Sequence, residues 1–120
     1  MLTEQLSPKT LVYVKRNCPI VAHLSFGDKR AFVSLILHEE ASAAGMLRRL
    51  IKYVLQGKLL LSEILKIREP NSGKTELKTR LTEEEKLKFF LLAEEWDLAP
   101  GSLARFLVGA YIRDPKIGRL

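Results

Sequence analysis

The sequence predicts a mainly helical chain with two short strands, in the order strand, helix, turn, helix, used twice. Three observations predict it. "TELKTRL", Thr75 to Leu81, alternates, with Leu77, Thr79 and Leu81 on one side and Glu76, Lys78 and Arg80 on the other; this is the period of a half-buried strand. Thr82 then opens a capping box with Glu85, so the strand passes straight into a helix. A gapless shift of 57 positions lays the region from Ile20 onward over the same order.

The first unit is expected over 19–55. Ile20, Ala22 and Leu24 fall on Leu77, Thr79 and Leu81, and make a strand. Ser25 and Asp28 fall on Thr82 and Glu85, so a second capping box is expected. Phe32 and Leu35 fall on Phe89 and Leu92, the apolar stripe of a first helix. Ser42 falls on Ala99, where a second helix is capped, and Met46, Leu47, Arg48, Leu50 and Ile51 fall on Leu103, Ala104, Arg105, Leu107 and Val108.

The connection spans 56–74. In it "QGKLLLSEILKI", with Leu60, Leu61, Ile64, Leu65 and Ile67 apolar, predicts a short amphipathic helix over 59–67, and "REPNSGK" is a loop. The second unit is expected over 75–112. Glu83, Glu84 and Glu85 suit the positive end of its first helix. Phe89, Leu92, Ala93 and Trp96 follow at i, i+3, i+4 and i+7, with Trp96 and the stripe's phenylalanines expected in the core. "APGS" breaks that helix, and Pro100 suits the first position of the next, which runs to about Ile112. Residues 1–120 are expected to form a single domain, with "LVYV" near the start reading as a strand or an arm.

Composition narrows the function. The chain is 47% hydrophobic and 28% charged, as in ordinary globular proteins. No apolar run approaches the roughly 20 residues that span a bilayer, so no membrane partner is expected. "MLTEQLSPKT" lacks a basic flank followed by an apolar core, so no secretory signal is expected. Cys18 is the sole cysteine, which excludes an internal disulfide and fits a reducing cytoplasm. His23 and His38 form no metal-binding or catalytic pattern with it, and there is no phosphate-cradling glycine loop. The expectation is a protein that is not an enzyme, with no metal and no cofactor. Net charge is +6, and residues 1–60 carry nine Lys/Arg against four Asp/Glu, while 61–120 carry eleven against ten. Such an excess favours a polyanion or an anionic surface, or serves solubility alone.

"ELKTRLTEEEKLKFFLLAEEWDLAPGSLARFLV", Glu76 to Val108, resembles the ribbon-helix-helix family of DNA-binding proteins. The resemblance implies that the two strands pair into a small antiparallel sheet, and that residues 20–55 supply the second copy. The fold would be a tandem ribbon-helix-helix in one chain, a monomeric pseudo-dimer with higher assembly on DNA open to it. Such tandem forms resemble accessory DNA-binding proteins of conjugation and plasmid mobilisation. Implied are sequence-specific binding of double-stranded DNA by a ribbon in the major groove and a cytoplasmic accessory role in a relaxosome, with a relaxase or other DNA-processing protein as partner. A transcriptional repressor and an antitoxin-like protein-interaction module of the same fold remain alternatives. The chain departs from the family pattern at Lys86, where an apolar residue is usual, and at Ala99, where Ser or Thr is usual.

On that reading Lys78 and Arg80 face base edges, with Arg80 suited to a bidentate contact with guanine. Val21 and His23 take the matching places on the first strand, and Glu76 and Pro19 sit at the edge of the face. Phosphate contacts are expected from the second-helix starts, Ser42–Ala43–Ala44 and Ala99–Pro100–Gly101, and from Lys15, Arg16, Lys74, Arg48 and Arg105. The plain readings stay open: Lys78, Arg80 and His23 as a solvated strand face, Lys15 and Arg16 as a solvated pair, and Arg48 and Arg105 as cover for apolar surface or partners of a carboxylate.

Overall fold

The computed structural model describes residues 16–67 and 69–120. Lys15, "LVYV" and Arg68 lie outside the described residues. The chain is mainly helical, with a two-stranded antiparallel sheet. In order come β1 (Cys18–Leu24), α1 (Phe26–Ile36), α2 (Ala43–Leu55), the single turn α3 (Leu61–Ile64), β2 (Thr75–Leu81), α4 (Glu83–Glu95), α5 (Pro100–Arg113) and a 3-10 helix (Pro115–Arg119).

β1 and β2 pair from Cys18–Leu81 to Leu24–Thr75, with Val21 opposite Lys78. Alternation puts Ile20, Ala22, Leu24, Leu77, Thr79 and Leu81 on one buried face. A two-stranded ribbon is marginal in water, and burying each large aliphatic side chain contributes roughly 1.5–3 kcal/mol. The cover comes crosswise: α5 packs on β1 and α2 packs on β2. A Cβ at Gly101 would lie 2.9 Å from the Val21 carbonyl oxygen, so the missing side chain lets α5 sit this close to the strand. On the other side the Thr79 hydroxyl donates to the Ala44 carbonyl at 2.8 Å, satisfying the one fully buried polar side chain on the ribbon's inner face.

Phe32, Met46, Leu50, Ile51, Phe89, Leu103, Leu107 and Tyr111 fill the space between the helices. The rings of Phe32 and Tyr111 meet edge to face, with centroids 5.2 Å apart. The Tyr111 hydroxyl is buried and has no hydrogen-bond partner among the described residues. Burial pushes its pKa above the ordinary phenol value, and the Glu39 carboxylate pushes the same way. The 3-10 helix closes this end: Gly118 lies against Tyr111 and Met46, Arg49 donates to the Gly118 carbonyl at 3.1 Å, and Arg119 pairs with Glu39 at 2.7 Å.

The helix ends follow local chemistry, with three departures from expectation. At α4 the capping box is complete: the Glu85 N–H donates to Thr82 Oγ1 at 3.1 Å and the Thr82 N–H to Glu85 Oε1 at 2.9 Å. At α1 only half of the expected box forms, Asp28 N–H to Ser25 Oγ at 3.1 Å; the Asp28 side chain is one methylene shorter than Glu85. Trp96, expected in the core, is 42% exposed. It caps α4 where Asp97 turns left-handed at φ 57°, the Asp97 N–H reaching the Glu94 carbonyl and the Leu98 N–H the Ala93 carbonyl. That reversal brings Leu98 against the core in place of Trp96. Gly57, at φ 76°, closes α2 in the same way, with Lys58 N–H on the Tyr53 carbonyl. The helix expected over 59–67 is only Leu61–Ile64, with Leu60 exposed; Leu60 is its N-cap and has no side chain to anchor a longer helix. Among the described residues no helix is long and apolar enough to cross a membrane.

Candidate nucleic-acid interface

The ribbon's outer face is set by register. Pro19 stands opposite Arg80, Val21 opposite Lys78 and His23 opposite Glu76. Lys78, Arg80, Glu76, His23 and Pro19 are exposed, while Val21 is half-buried. His23 Nδ1 lies 4.0 Å from Glu76 Oε2, so an imidazole and a carboxylate face each other across the strands at that end. The cations collect toward the other end, at Lys78 and Arg80 of β2. The ribbon is therefore polarised along its length.

The start of α2 lies beside that cationic stretch, its Ala44 carbonyl held by Thr79, the residue between Lys78 and Arg80. Ser42 caps the helix by accepting from the Gly45 N–H at 3.0 Å. The first-turn N–H groups at Ala43 and Ala44 have no carbonyl earlier in the helix to bond, and they carry the positive end of its dipole. A surface depression here is lined by Arg16, Glu40, Ser42, Arg48, Arg49 and Lys52, four cations and one acid. The structure thus brings together three residues expected as phosphate contacts, Arg16, Ser42 and Arg48. Four cationic side chains, Arg16 ahead of β1 and three spread along α2 to its last turn, make a seat for an anion such as a backbone phosphate.

The start of α5 is unlike it. Ala99 provides no side-chain cap and Pro100 no N–H. The depression there is lined by Phe90, Glu94, Asp97, Leu98, Ala99 and Pro100, two acids and no cation. Gly101, expected to bind phosphate, lies against the Val21 carbonyl. Arg105 takes the carboxylate reading left open for it and not the phosphate one: its Nε donates to the Pro70 carbonyl at 3.0 Å and its Nη2 meets Glu69 Oε1 at 2.8 Å, with the side chain only 12% exposed. It fastens the connection to α5 instead of facing solvent. Lys74 is exposed just ahead of β2, near the Leu24 end of the ribbon.

Sequence reasoning missed Arg49 and Lys52. A signal existed, since Arg48 and Lys52 stand at i and i+4 on a helix capped by Ser42, but Arg49 is drawn in by the 3-10 helix, through a contact 69 residues away. Comparison of the chain with protein-family models, curated proteins and solved structures returns no match to any of them.

Proposed function

We propose that the chain is a tandem ribbon-helix-helix protein that binds double-stranded DNA, laying the β1–β2 ribbon in the major groove. The observation that carries the reading is the outward pair Lys78 and Arg80 on a two-stranded ribbon, beside the cationic depression at the start of α2. A two-stranded ribbon fits the major groove, where the four base pairs are distinguishable. Lys78 and Arg80 read bases, Arg80 in bidentate fashion; Arg16, Arg48 and the first turn of α2 hold a phosphate. The tandem reading is supported by the register: Val21 and Lys78, which face each other, are 57 residues apart, the same spacing that separates the Ser25 and Thr82 caps. In an antiparallel pair of like strands, the position that faces its own copy lies on the two-fold axis.

Because the outer faces of β1 and β2 differ, the target is an asymmetric site, which suits an accessory role at a plasmid transfer origin, with a relaxase or similar DNA-processing enzyme as partner. A transcriptional repressor would use the same surface. No catalytic role is assigned to the chain. The test is binding to randomised duplexes across a salt series. A slope of log affinity on log salt of about −3 or steeper is expected, each neutralised phosphate adding about 0.9. Arg80→Ala is expected to cost about 1–3 kcal/mol on the preferred site and to relax base preference at one position. A flat salt response sinks the DNA reading; an equal loss on every sequence makes Arg80 a phosphate contact.

A further inference from the structure

The outer faces of the two first helices are left over by the DNA reading. On α1, Phe26, Arg30, Val33 and Leu37 fall at i, i+4, i+7 and i+11, one solvent-facing stripe, with Lys29 beside it. Phe26 is 69% and Leu37 78% exposed. On α4, Leu87, Phe90, Leu91 and Glu94 form the corresponding stripe, with Glu95 beside it. Solvent-facing apolar stripes of this length on a small chain mark an interaction surface. The Lys86 ammonium stands 5.2 Å over the Phe90 ring, and Phe26, Leu37, Leu87 and Leu91 face solvent.

We propose that the occupant is a second copy of the chain, α1 of one molecule docking antiparallel on α4 of the next. Charge decides the pairing. Two α4 helices laid antiparallel bring the acidic start, Glu83 and Glu84, onto the acidic end, Glu94 and Glu95, and two α1 helices paired Phe26 to Val33 oppose Lys29 with Arg30. The mixed pairing avoids both. In one antiparallel register Leu37 meets Leu87 and Val33 meets Leu91, while Arg30 meets Glu94 and Lys29 meets Glu95. Two apolar pairs and two ion pairs thus fall in one register, with Phe90 facing Ser34. The contact joins two different faces, so it closes into a ring or runs on as a line of molecules. It involves none of the residues assigned to DNA, and it stands or falls without DNA.

The test is sedimentation equilibrium of the full chain in the absence of DNA. The weight-average mass is expected to rise with concentration to at least that of two copies. Val33→Asp and Leu91→Asp should each remain monomeric alone, yet associate one to one when mixed, through the one intact face each retains, and grow no further. Arg30→Glu or Glu94→Arg alone should weaken association roughly fivefold or more, and the two together in one chain should restore it. A wild-type chain that stays monomeric at every concentration overturns the proposal. So does a Val33→Asp chain that dimerises by itself, because α4 would then be meeting α4.

Discussion

The starts of α2 and α5 occupy matching places on opposite strands, yet their surroundings differ in sign. Around Ser42 stand Arg16, Arg48, Arg49 and Lys52; around Ala99 stand Glu94, Asp97 and Phe90. Beneath both, the packing is alike: each helix crosses onto the other half's strand, and Phe32 and Phe89 lie fully buried 57 residues apart. The difference teaches that the interior fixes the frame while the rim is left to diverge. An interior position is constrained by every neighbour it touches, whereas a rim residue answers mainly to solvent.

The sharpest test of the shared frame is the phenylalanine pair. Phe32→Ala and Phe89→Ala should each cost about 3–5 kcal/mol in denaturant unfolding. Phe32→Ala should cost about 1 kcal/mol more, because it also loses the edge-to-face contact with Tyr111. Equal losses would remove the aromatic pair from the account. Next is the arginine pair, where the halves should part company. Arg105→Ala should lose about 1–2 kcal/mol of stability with duplex affinity unchanged, since its bonds to Glu69 and Pro70 are structural. Arg48→Ala should leave stability within about 0.5 kcal/mol and weaken binding to all duplexes alike. The reverse pattern would break the comparison.

The caps give a smaller contrast. Ser42→Ala should cost about 1 kcal/mol, and Ala99→Ser should gain about 0.5–1 kcal/mol by supplying the missing acceptor, both read from thermal unfolding. Smallest are the two left-handed turns. Asp97→Gly should stabilise by roughly 0.5 kcal/mol, and Gly57→Ala should destabilise by about 1 kcal/mol, because only glycine takes φ near +60° to +80° without a Cβ penalty. If Asp97→Gly destabilises, the aspartate side chain has a local role beyond the turn.

The strand Thr75–Leu81 and the start of α4 are legible in the sequence because their causes are local: alternation over seven residues, then a cap and its partner three residues on. The cationic depression is legible in part: Ser42 follows from helix-start chemistry, Arg16 from the basic pair ahead of β1, and Arg48 from its place in the shifted alignment. What escapes depends on distant chain. That Arg105 could meet a carboxylate is legible, but not that the carboxylate is Glu69, 36 residues away; Arg49 meets a carbonyl 69 residues away. Trp96 escapes for a local reason: the left-handed turn uses Asp97 where glycine would announce it, so the apolar spacing carries one residue past the point where the helix stops.

The crossed cover of the ribbon has a consequence for folding. Among the described residues β1 finds its hydrogen-bond partner only in β2, and each strand's inner face is roofed by the helix that belongs to the other. Residues 18–55 alone would expose one side of a lone strand and one side of two helices, with nothing to complete them. Neither half is an independent folding unit, so the chain should melt in a single cooperative step. Both partners lie on one polypeptide, so their encounter is governed by the tether between them, and dilution leaves this melting temperature where it is.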